Sequence, residues 1–141
     1  MDYVPYFAAG KVIEGVKARV WDVCFLAIDP VRAEQILFTP PYVVIEGAYL
    51  VTEDSPIRDN AEVDQPGVRP ALEADARRHP GLRLLPGRFM AIHQAMGTPR
   101  GRDATHACLR EFIEEMKASG FVAQALARNR VIGASVAPAE K

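Results

Sequence analysis

The chain has 141 residues, about one domain's worth, and a chain of this length hides roughly 70% of its unfolded surface in a core. Apolar residues at 49% and charged residues at 25% exclude a chain that is disordered throughout. A net charge of −1, from 17 basic and 18 acidic residues, gives no bulk attraction for nucleic acid.

The first ten residues, MDYVPYFAAG, have neither a basic n-region nor an apolar h-region, so no signal peptide is read in the chain as it stands. No run approaches 18 apolar residues, so no membrane span is expected. DYVPYF, 2–7, reads as the end of a strand that Pro5 confines to an edge. Ala9, Val12, Ile13 and Val16 then fall at helical spacing and predict a helix over 9–18, which Gly10 and Gly15 weaken. VWDVCFLAI, 20–28, is almost wholly apolar and predicts a strand buried on both faces, the signature of a parallel sheet between helices. Asp29 is placed to cap a short helical turn, PVRAEQ, with Pro30 at its first position. ILFT and the stiff Pro40-Pro41 corner follow.

YVVIEGAYLV, 42–51, is the strongest strand signal, with Glu46 and Gly47 marking a bulge or a close backbone approach. Residues 52–70 read as loop with a short helix at 59–63, and ALEADARRH, 71–79, as a helix closed by Pro80-Gly81. LRLL and RFMAIHQAM are strands on either side of Pro86-Gly87. Leu109, Phe112, Ile113 and Met116 make one apolar stripe, with Asp103 as N-cap and Gly120 as stop; Phe121, Val122, Ala125 and Leu126 repeat the pattern. ASVAPAEK reads as a frayed tail. Strands alternate with helices, so the class is α/β.

Cys24 and Cys108 sit among apolar neighbours and read as two buried free thiols rather than a disulfide framework. Three scattered histidines give no metal-ligand spacing; His93 reads as a satisfied polar residue and His106 as solvated. The basic clusters Arg77-Arg78, Arg83-Arg88 and Arg100-Arg102 read as solvated loops and helix faces. No nucleophile elbow, P-loop, dinucleotide fingerprint or zincin motif is present, so neither a catalytic residue nor a cofactor is assigned.

Four stretches carry a resemblance. AAGKVIEGVKARVWDVCFLAIDPVRAEQILFTPPYVVIEGAYLV, SPIRDNAEVDQPGV, HPGLRLLPGRFMAIHQAMGTPRGRD and LREFIEEMKASGFVAQAL run in an order that resembles the extracytoplasmic solute-binding proteins of ABC importers, the polar amino acid family 3 of type II periplasmic binding proteins. The resemblance implies a three-layer open sheet like one lobe of that fold. It also implies a shortened chain: lobe-one segments at about 1–66 and 88–137, and only a remnant of the second lobe at about 67–87. The family's relatives are periplasmic.

In an open α/β sheet, ligands lie outside the carboxyl ends of strands, where Asp29 and Arg32 stand. The guanidinium fork fits a carboxylate, and by resemblance the Arg of this turn grips the α-carboxylate of an amino acid. An ordinary salt bridge of Arg32 with Asp29 or Glu34 is the competing reading. Where family members carry hydroxyl residues before the turn, this chain has Phe25, Leu26 and Ala27. The ligand-binding candidates are therefore Arg32, Asp29, Ala27 and Tyr42, for a small polar or carboxylated solute. Loss of a lobe predicts open edges at 43–51 and 87–96, covered in a homodimer with paired or exchanged strands. A self-assembling module without a small-molecule ligand is the alternative.

Overall fold

The computed structural model describes residues 2–63 and 81–140, which fall in two compact units, Met1–Ile45 with Ile92–Lys141 and Glu46–Ala91. The helix expected at 71–79, the junction at 67–68 and the Arg77-Arg78 pair lie outside the described residues.

In the first unit, α1 spans Ala9–Ala18, as the spacing predicts. Gly15 serves packing here: a Cβ on it would stand 2.7 Å from Trp21 Nε1, so only glycine admits the indole. Trp21 in turn donates from Nε1 to the Val12 carbonyl at 2.9 Å. Val12, Trp21, Cys24, Leu26 and Ile36 form the core beneath this helix, with Tyr6 packed against it. DYVPYF therefore makes no strand; Tyr6 is spent on the core and no partner strand is offered.

The sheet contains β1 (Cys24–Ala27), β2 (Ile36–Phe38), β3 (Val43–Gly47), β6 (Met90–Pro99) and β7 (Ala134–Val136), in the order β1-β6-β3-β7. β2 also pairs with β6, and the short helix α2 (Pro30–Ala33) links β1 to β2. The parallel sheet expected from the 20–28 run is not formed. β1 and β2 point the same way, but β6, from far along the chain, pairs with both of them antiparallel; Gly97 opposes Cys24 on one edge and Phe38 on the other. Nor is β1 buried on both faces: Cys24 and Leu26 face the core while Phe25 is 58% exposed. β6 does have both faces buried at Ala95, Met96 and Thr98, as befits the central strand of a three-layer α/β arrangement.

The tail is not frayed. β7 pairs antiparallel with β3, Val43 opposing Val136, and closes an edge expected to be open. The helix α3 (Asp103–Ala118) runs into α4 (Phe121–Arg128), which packs on β7, and Gly120 at φ 77 makes the turn between them. Asp103 is the first helical residue rather than the cap; Arg102 holds that position without a side-chain bond to the helix. Cys24 is buried but Cys108 is exposed, because it falls off the apolar stripe of α3. His106 is not solvated either: its Nε2 lies 2.9 Å from the Phe38 carbonyl.

In the second unit, the single strand expected over 42–51 is broken. β3 ends at Gly47 and β4 (Leu50–Thr52) pairs instead with β5 (Leu82–Leu84) over Val51, Ile57, Val63 and Leu85. Gly47 is the expected close approach: a Cβ there would meet Met90 Cγ at 2.6 Å. A 3₁₀ turn stands at Asn60–Glu62, and Glu46 pairs with Arg88. Among the described residues no helix is long and apolar enough to cross a membrane, and no group of three His, Cys, Asp or Glu side chains converges as for a metal.

Candidate functional site

The turn after β1 is built by Asp29. Its Oδ1 accepts from the backbone N–H of Val31 at 3.0 Å and of Arg32 at 3.1 Å, and Pro30 fixes the first helical position. One carboxylate oxygen is thus consumed by capping, and the N–H groups the turn would otherwise offer to an anion are satisfied internally.

Arg32 makes no ion pair with Asp29, Glu34 or any other described carboxylate. Its Nη1 donates instead to the Ala27 carbonyl at 3.0 Å, so two candidate ligand positions bond to each other. The turn is clamped from its other end as well, since Arg100 donates from Nε and Nη2 to the Ala33 carbonyl at 2.8 and 2.6 Å. The Arg32 guanidinium is half-buried, fixed in place and not neutralised, with four of its five N–H groups (the fifth goes to Ala27) unmatched by any described acceptor.

Tyr42 follows the proline corner. The Thr39 N–H bonds to the Met96 carbonyl and the Tyr42 N–H to the Gln94 carbonyl, so three steps along one strand match two along β6. That is a bulge, and it turns Tyr42 onto the same sheet face as Phe25. The two rings meet edge to face with centroids 6.3 Å apart. Burial pushes the Tyr42 phenol above its ordinary value. Within the corner the Thr39 hydroxyl donates to the Pro40 carbonyl and accepts from the Met96 N–H.

Phe25, Ile28 and Val31 are exposed large apolar residues along β1 and the turn that follows it. Two concavities are present in the first unit, of about 470 and 550 Å³; Arg32, Asp29 and Tyr42 line neither of them. Sequence reasoning missed Phe25 and Arg100; the run of apolar letters hid the first, and the second is 67 positions from its acceptor.

This open α/β sheet matches one lobe of periplasmic-binding-protein-like folds. An ancestral cationic amino acid solute-binding protein superposes with a TM-score of 0.65 at 12% identity, covering 90% of this chain and 76% of that one. The substrate-binding protein of an amino acid ABC transporter gives 0.61 at 14% identity, covering 89% and 78%. An ancestral cyclohexadienyl dehydratase gives 0.58 at 14%, covering 90% and 74%, so one fold carries both binding and catalysis. No curated protein matches the sequence. The bacterial extracellular solute-binding proteins, family 3, match over residues 1–129, and the chain belongs to that family.

Proposed function

We propose that the chain is a shortened solute-binding domain that holds a small carboxylated or polar solute against Arg32. The observation that carries this reading is the fixed guanidinium of Arg32, tied to Ala27 by one N–H and paired with no described carboxylate. An arginine held rigidly at a strand end, with its fork unspent, is pre-organised for a bidentate carboxylate. Tyr42 and Phe25 supply an apolar wall beside it. Asp29 acts by holding the turn rather than by gripping an ammonium group, because its Oδ1 is engaged in capping.

On this reading lobe one comprises about 1–66 and 88–137, and 67–87 is the stub of a second lobe. One wall alone gives a wet site, and small ligands need 70–90% enclosure for useful affinity. A second copy supplies the missing wall, docked on the apolar row Phe25, Ile28 and Val31. Delivery to a membrane permease would require a partner that accepts this shortened form.

The test is calorimetry at tens of micromolar protein against a panel of amino acids and carboxylates, repeated with Arg32→Ala, beside light scattering. A carboxylate ligand lost in Arg32→Ala, bound by a dimer, supports the reading. A panel without a ligand overturns it in favour of a self-assembling module when the chain is dimeric.

A further inference from the structure

We infer that the chain carries a second, anionic site: a cradle of arginines that accepts a phosphate-bearing small molecule. The concavity of about 470 Å³ in the first unit is lined by Arg19, Gln35, Arg100, Gly101 and Arg102, over apolar contact from Val16 and Pro99. Three arginines thus line it from two places far apart in the chain, the end of α1 and the loop between β6 and α3. No carboxylate lines it. Asp22, outside the lining, reaches Nη1 of Arg102, which leaves the other two cations without a counter-charge among the described residues.

The arginines are held in different ways. Arg100 is locked by its paired bonds to the Ala33 carbonyl, so its charge is delivered without loss of rotamer freedom on binding. Arg19 makes no side-chain bond to a described residue. It occupies the C-terminal cap of α1 at φ 52 and ψ 41, a left-handed position that favours glycine. An arginine where glycine is the comfortable residue is an outlier with a stability cost, and it places a cation at the rim of the cradle. Gln35 adds an amide that donates or accepts.

Three cations with one outlying acid suit a doubly charged, multidentate oxyanion better than a single carboxylate. A phosphomonoester carries about −1.5 to −2 charge and three acceptor oxygens, which matches the arginine fork. The volume leaves room for an organic group the size of a sugar or nucleoside beyond the phosphate. This site does not depend on the solute reading of Arg32, which does not line it.

The experiment titrates the full chain with pyrophosphate and with a sugar phosphate, following Tm and calorimetric heat, with sodium chloride matched for ionic strength. Parallel sedimentation uses vesicles of phosphatidylcholine alone and with phosphatidic acid, to separate a free phosphate from a lipid headgroup. Saturable binding of the phosphates or of the phosphatidic acid vesicles, weakened about tenfold in Arg102→Gln, is expected. Arg19→Gly relaxes the backbone, so the free variant melts higher than the parent while its phosphate-induced shift shrinks. Asp22→Asn strengthens binding by releasing Arg102. Binding that neither arginine variant weakens, a shift that matched chloride reproduces, or no binding to either source overturns the assignment.

Discussion

Nη1 of Arg32 donates to the carbonyl oxygen of Ala27, five residues earlier, at 3.0 Å. The bond ties the end of β1 to the turn that leaves it, and it holds the guanidinium at the sheet's edge. Arg32→Ala removes a charge-assisted bond from a half-buried carbonyl and lowers stability by about 1 kcal/mol. Arg32→Lys keeps the charge but not the planar fork, and is expected to recover part of that stability and little of any carboxylate binding. Urea unfolding of the three proteins, together with calorimetry on a carboxylate panel, checks both halves.

Asp29 is expected to matter through geometry. Asp29→Ala strips two N–H groups of their cap and costs about 1 kcal/mol, whereas Asp29→Asn retains the acceptor and stays close to the parent. If Asp29 instead gripped a ligand ammonium, the asparagine variant would keep its stability and lose binding, and a thermal melt beside a ligand titration separates the two.

Gly97 leaves no room for a side chain. A Cβ there would sit 2.5 Å from Ile36 Cγ2 and 3.2 Å from Cys24 Sγ. Gly97→Ala is therefore expected to cost about 1–3 kcal/mol, and Gly97→Ala with Ile36→Leu to regain part of it by removing the Cγ2 methyl from the branched Cβ. Chemical denaturation of the single and double variants gives the coupling directly.

The two thiols are expected to behave as opposites. Cys108 reacts rapidly with a disulfide reagent under native conditions, and Cys24 only when the fold opens. Burial pushes the Cys24 thiol up to about 11, against 9.0 ordinarily, with a weaker opposing pull from the Gly97 backbone. The native state thus keeps its proton where the unfolded chain has lost it. The stability this confers is complete below pH 9.0 and fades as pH rises toward 11. Cys24→Ala flattens that part of the stability curve.

Acid acts at another place. Lys117 is nearly buried on α3 and donates to the carbonyls of Pro41 and Pro138 at 3.3 and 2.9 Å, tying the proline corner to the tail. Its Nζ also lies 2.6 Å from Glu114 Oε1; the contact is an ion pair without good hydrogen-bond alignment. Lys117 is the main cause that holds the Glu114 carboxyl below its ordinary value of 4.5. The pair's contribution is present above about pH 4.5 and is lost as pH falls through the lower folded value. A melting series from pH 6 to pH 3 is expected to show Glu114→Gln losing less than the parent over the last unit.

Helices and turns were legible in the sequence because their signals are local. The apolar spacing of Val12, Ile13 and Val16, the Asp29-Pro30 cap and the Gly120 stop all act within a few residues, and each stands where it was read. Strand partners were not legible. Nothing near Cys24 says that Gly97 will lie beside it, and nothing in ASVAPAEK says that Val43 offers it an edge. In the turn after β1, Asp29 caps as its place before Pro30 suggested, but the partner of Arg32 was misjudged. Side-chain charge suggested an ion pair, while the bare carbonyl at a strand end was the nearer acceptor.

The extra residue at the Pro40-Pro41 corner sets the parity of everything that follows it in β3. With it, Tyr42 shares a face with Phe25; take out one proline and every later side chain in that strand changes sides, Tyr42 among them. Val43 and Val44, buried on opposite faces, would trade places, Ala48 would bring a Cβ into the close approach that Gly47 allows at Met90, and Tyr42 would leave the face it shares with Phe25. The letters of one corner therefore decide which face each later side chain of the strand meets.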